Sequence, residues 1–199
     1  MKYGFLNDNE EAALKKWHVL LDTNRGDRAR LRRTDNAEDV LLTRAFFNFL
    51  DEMPECWREN KPMLVSAAVA GVLSHVKRNK IIPSEIHESK SEDAPKKIMS
   101  FAEQLATPLK NKKAPMSELR FQQLQKSRTE NDFYRLTLRA VNLLGSEVNI
   151  FSLANDIIQW HQEFYQKGSD RKSTDRLAVR WATDYFSALS KHTKKEYSK

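Results

Sequence analysis

Apolar residues recur at helical spacing along almost the whole chain, and no segment alternates convincingly as a strand does. Over residues 9–22 the spacing predicts a helix with Ala13, Trp17, Leu20 and Leu21 on one face, broken by Thr23–Gly26. Asp27–Arg33 reads as a short basic helix whose few apolar members are Ala29 and Leu31. Asp35 followed by Glu38 has the form of a capping box. The helix it starts runs through Leu50, with Val40, Leu41, Ala45, Phe46 and Phe49 on its buried side. Pro62 stands at a position where a helix start tolerates proline. Residues 62–76 are apolar nearly all round, which predicts a central helix too short to cross a membrane.

The pattern then changes. Residues 79–95 are polar with two prolines and read as a surface loop. A short amphipathic helix is predicted over 96–106. Residues 107–115 hold two prolines and three lysines, the composition of a linker. Beyond it Ser117 caps a helix over 118–127. Thr129 with Asp132 caps one over 130–144, stopped by Gly145. Asn149 caps a third over 150–165, and Ser173 or Thr174 starts a last helix to about Lys191. The expected fold is all-α, a two-lobed bundle of roughly eight to nine helices. Its parts are an N-terminal helical lobe (1–106), a linker (107–115) and a C-terminal basic helical lobe (116–199).

Composition narrows the function. Five Gly and six Pro in 199 residues leave no glycine-rich phosphate loop or dinucleotide fingerprint. The single cysteine, Cys56, excludes an internal disulfide and a four-cysteine zinc site. No leader-like or membrane-length apolar run occurs, so a soluble, cytoplasmic protein is expected. None of the five histidines has a metal-ligand spacing, and no nucleophile elbow is present. His161, Glu163, Asp156 and Trp160 share a helix and read as surface and core positions. The acidic pairs sit at helix starts or in the 79–95 loop, where capping and the helix dipole account for them. The chain is read as not an enzyme, with no cofactor and no metal.

The charge is the informative feature. The net is +7, yet residues 1–106 hold 17 basic and 17 acidic side chains, so residues 107–199 carry the whole excess. Within the neutral half, Arg25–Arg33 has five Arg against one Asp. Guanidinium groups grip phosphates through paired hydrogen bonds, so such clusters suit a polyanion. The candidate nucleic-acid contacts are Arg28, Arg32 and Arg33 in that cluster, then Arg120, Lys126 and Arg128, then Arg135 and Arg139, and Arg180 on the last helix. Arg135 and Arg139 lie four apart and face one way, while Phe133, Leu136, Ala140, Val141 and Leu144 make another face. The α-helix start at Thr129 could also favour a phosphate, opposed by Glu130 and Asp132. The aromatic residues sit mostly at core spacing, which favours contact with nucleic-acid backbones over base readout.

These residues carry a family resemblance. Gly26-Asp27-Arg28-Ala29-Arg30-Leu31-Arg32-Arg33 resembles the G-x-x-A-x-L-R-R segment of CasB, the small subunit of the type I-E CRISPR Cascade complex. Ser117 through Leu124, Ser127-Arg128-Thr129 and Arg135 through Arg139 resemble its E-R-R-F-x-x-L…R…L-R-R-L core. Val148-Asn149-Ile150 with Leu153, Asp156 and Trp160 resembles its V-N-W-x-x-L…D…W helix, and Arg180 through Phe186 its closing R-W-A-x-D-Y-Y. The motifs cover residues 10–34 and 96–190, in the family's order. Leu119 stands where the family often has a second Arg, and residues 79–95 read as an insertion.

The resemblance implies an all-helical, two-lobed, non-catalytic subunit of a complex built on a guide RNA, present there in two copies. Its implied partners are guide RNA, the target and displaced DNA strands, and the large and backbone subunits. The implied function is to hold the displaced strand and stabilise the R-loop in antiviral defence, with cleavage left to a separate helicase–nuclease. The alternative reading is a stand-alone, repressor-like DNA-binding protein, with turns at 127–131 and 145–149 as candidates for a recognition motif. A nuclease with acids converging from several helices is the third.

Overall fold

Side chains that cap the backbone set most of the helix starts. The computed structural model describes residues 5–84, 98–108, 113–166 and 172–197. Asn7 and Glu10 form a reciprocal capping box for α1 (Asp8–Thr23), and Asn24 caps α2 (Arg25–Arg32). Then come α3 (Ala37–Leu41), α4 (Arg44–Glu52), α5 (Cys56–Glu59) and α6 (Met63–Ser74). A two-residue strand β1 (Arg78–Asn79) precedes α7 (Phe101–Ala106), α8 (Glu118–Gln125) and α9 (Glu130–Leu143). Strand β2 (Glu147–Val148), α10 (Ile150–Tyr165), a 3-10 turn at Ser173–Asp175 and α11 (Leu177–Tyr197) complete the order.

The all-α class holds, with eleven α-helices among the described residues against the expected eight or nine. The helix expected from 35 to 50 is two. Thr43 Oγ1 donates to Val40 O (2.9 Å), at the end of α3, and accepts from Phe46 N (3.2 Å), capping α4. One threonine thereby closes one helix and opens the next. Asn36, not Asp35, caps α3, through Asp39 N at 2.8 Å. The one-turn α5 is a further addition. On α1 the buried stripe is Leu14, Trp17 and Leu21, while Leu20 is exposed. Ser117 stands at the start of α8 without a side-chain hydrogen bond.

The apolar helix α6 is central: every residue from Val65 to Ser74 is buried. It packs against α2, α3, α9 and α10. Gly71 lets α9 approach, because a Cβ there would collide with the Tyr134 phenol oxygen and reach 2.9 Å from Val40 Cγ2. α7, which precedes the expected linker, packs mainly on α11, with Phe101 and Trp181 ring centres 6.0 Å apart. One hydrophobic cluster runs from Leu6 to Ala188 and draws on both halves of the chain. Residues 109–112 of the linker and 85–95 of the insertion lie outside the described residues.

The small strand pair is a feature the pattern did not predict. Gly145 (φ 67°) and Ser146 (φ 63°) turn the chain sharply after α9. Ser146 O then accepts from Lys77 N at 2.8 Å, and Arg78 and Asn79 pair in parallel with Glu147 and Val148. Strands of two residues leave no alternation to detect.

Candidate nucleic-acid interface

The basic helix α2 is anchored through its one acid. Asp27 is buried and accepts from Asn24 Nδ2 and Asn48 Nδ2, each at 2.7 Å, and from Arg30 Nη1 at 3.2 Å. Leu31 fixes the opposite side in the core with no exposure. Arg32 and Arg33 are left facing solvent at the end of the helix. Arg28 differs. It reaches back to Asp22 at 3.0 Å with its side chain only 15% exposed, and its Nε and Nη2 are buried.

α8 and α9 present the second set. Phe121 and Leu124 bury one side of α8, and Phe133, Tyr134, Thr137, Ala140 and Val141 bury one side of α9. Arg135 and Arg139 emerge on the exposed side, as the spacing predicts. Arg120 and Arg139 line one groove of about 430 Å³ between the two helices, floored by Leu124, Leu136 and Leu143. Leu143 also lines a wider groove of about 820 Å³ that carries Lys80 and Lys113. Glu147 is the acid on that wall, engaged with Arg78 at 3.3 Å and Lys80 at 3.8 Å. Lys126 and Arg128 are exposed in the turn before α9.

The start of α9 is closed by the chain itself. Thr129 Oγ1 accepts from Asp132 N at 3.1 Å. Glu130 accepts from the Tyr165 hydroxyl and lies 3.7 Å from His161 Nε2. Two carboxylates in this turn oppose a phosphate, so the cationic surface lies along the helix flank and not at its end.

Arg180 is held differently from the other candidates. Its Nη2 lies 2.9 Å from Asp156 Oδ1, and its side chain is only 14% exposed. Trp181 Nε1 donates to the other carboxylate oxygen at 2.9 Å. Burial pushes Asp156 up to about 6, against the pull of Arg180 and Trp181. This is a clamp between α10 and α11. The sequence hides it because Asp156 is on a different helix.

Seven of the nine candidates, Arg32, Arg33, Arg120, Lys126, Arg128, Arg135 and Arg139, are exposed. Among the described residues no carboxylate stands within ion-pair distance of any of them. The structure adds Lys80 and Lys113, which the sequence placed in a loop and a linker. Only the fold brings them to the groove. Among the described residues there is also no cluster of three or more His, Cys, Asp or Glu able to hold a metal. No described helix is long and apolar enough to cross a membrane.

The family model of CRISPR-associated protein Cse2 matches residues 27–186, from the basic helix α2 into α11. This chain belongs to the Cse2 family. Cse2 is the small subunit of the type I-E Cascade complex, in agreement with the CasB-like motifs. The match takes in the exposed C-terminal end of α2 and the whole α8–α9 surface. No curated protein and no solved structure matches the chain.

Proposed function

We propose that this Cse2-family subunit is non-catalytic and holds nucleic-acid backbones within Cascade, stabilising the R-loop. The observation that carries the reading is the set of seven exposed cations without a carboxylate partner among the described residues, two of them lining the α8–α9 groove. A surface arginine in a generic basic protein is commonly offset by a nearby acid. Here Asp27 of α2 and Glu130 at the start of α9 are engaged elsewhere.

Exchanging a DNA duplex for a guide–target heteroduplex is nearly balanced in free energy, so modest backbone contacts decide whether the displaced strand re-anneals. A groove with leucine walls and arginine rims suits a strand held by its phosphates and not read by its bases. The partners in this reading are the guide RNA, the target and displaced strands, the large and backbone subunits, and a second copy of the chain. In this reading the two lobes, 1–106 and 116–199 joined by 107–115, pack through α7 on α11 and α6 on α10, and both line the wider groove. A repressor-like reader has less support, because the turn at 145–149 is tied into the β1–β2 pair.

The test is R-loop formation by reconstituted Cascade carrying Arg120→Ala with Arg139→Ala. We expect weaker R-loops on every target sequence and a salt slope of binding flatter by about two. Unchanged affinity and slope would remove the α8–α9 groove from the strand path.

A further inference from the structure

Tyr134 is buried where three elements meet. It projects from α9 into the gap that Gly71 leaves on α6, and its hydroxyl lies 3.3 Å from Thr34 Oγ1 just beyond α2. The direction of that hydrogen bond follows from its neighbour. Thr34 Oγ1 donates its one proton to Leu31 O at 2.7 Å, so the phenol is the donor to Thr34. Leu31 O is one of the last carbonyls of α2, in the turn that carries Arg32 and Arg33. The chain Tyr134–Thr34–Leu31 thus ties that turn to α9, one residue before Arg135.

We infer that Tyr134 is a positioning residue that sets the Arg32–Arg33 turn of α2 relative to the arginines of α9. This inference rests on reading Arg32 and Arg33 as backbone contacts. Phosphates along a strand have a fixed spacing, so two cationic elements engage one strand together only while their separation is fixed. The donor is constant: burial raises the phenol to about 12, so the proton stays on at any physiological pH. Gly71 belongs to the device, since any side chain there displaces the ring.

The chain is titrated, over a salt series, against a fluorescein-labelled mixed-sequence single-stranded DNA. Tyr134→Phe removes the donor and keeps the ring. It is expected to weaken binding by about twofold to tenfold, the range of one net hydrogen bond. The same loss is expected on the Arg120→Ala/Arg139→Ala background and no further loss on the Arg32→Ala/Arg33→Ala background. Thr34→Ser, which keeps the hydroxyl, binds as the unmodified chain does, and Thr34→Val behaves as Tyr134→Phe. An equal loss on all backgrounds signals general damage and overturns the positioning role, as does no loss in the unmodified chain. If neither arginine pair affects binding, the backbone-contact reading itself fails and this inference falls with it. If the pairs matter and Tyr134→Phe does not, only this inference falls.

Discussion

His75, at the end of α6, shows how one buried side chain makes stability depend on pH. Burial lowers its pKa to about 4, with the nearby Arg32 charge acting in the same direction. Burial also lowers His18 and His161. A folded-state pKa below the unfolded value means that the unfolded chain takes up the proton first. The stability from His75 is therefore complete above its ordinary pKa of 6.5 and is lost as pH falls from there to about 4. Urea midpoints measured from pH 7 to pH 4 should fall, and more steeply for the natural chain than for His75→Asn. Parallel curves for the two would show that His75 is not the source. Asp156 works the other way over part of this range, because its pKa is raised.

Residue types alone exposed much of this scale. Thr129 and Asn149 are capping side chains whose hydrogen bonds reach two or three residues, so their sites are local. The pairing of Arg180 was not legible because its partner is 24 residues away. Glu10 looked like a helix-start acid and is also a buried acceptor for Trp57 Nε1 at 2.8 Å and for Lys61. Burial alone would raise its pKa, but these donors and the Asn7 backbone outweigh it and hold it low.

Among the elements, the break between α3 and α4 is the clearest departure from the periodicity. Val40, Ala45, Phe46 and Phe49 keep one continuous buried side across the break, so the apolar pattern did not register it. The switch is one hydroxyl that serves both ends. Thr43→Ala removes the cap at Phe46 N and is expected to cost about 1 kcal/mol of stability. Chemical denaturation checks this, and Thr43→Ser should recover most of the loss. If Thr43→Ala matches the natural chain, the helix break is held by packing alone. The exposed side of α9 was legible because a 3.6-residue period separates its two faces without reference to any other element. The groove between α8 and α9 was not, because it exists only where two helices are set side by side.

At the scale of the whole molecule, α7 and α11 decide how the chain holds together. Phe101, Trp181, Phe121 and Tyr185 are buried in one aromatic layer, with Phe121 and Tyr185 stacked 3.9 Å apart. Tyr185 also donates to Met116 O at 2.7 Å. α7 lies before the expected linker and α11 at the far end of the order, so this layer joins the two chain halves. Truncation before Leu177 strips the layer from α7 and α8. We expect such a chain to lose cooperative unfolding and its near-ultraviolet circular dichroism. A truncated chain that still melts in one sharp transition would show that residues up to 176 form a self-sufficient unit. The all-α class followed from helical spacing alone. The joining of α7 to α11 did not, since no local pattern states which buried faces meet.

One small feature bears on how this chain can change. Pro83 and Ile98 form an isolated antiparallel bridge, and Met99 N donates to Ile82 O at 2.8 Å. The two ends of the intervening stretch are thereby held side by side. Closing a loop twice as long costs only about 0.6 kcal/mol more. With the ends fixed by this bridge, added length is expected to cost the fold little. Peptide tags or labelling sites spliced there should leave the arginine-bearing helices in place, which makes this stretch a natural handle for tracking the subunit inside its complex.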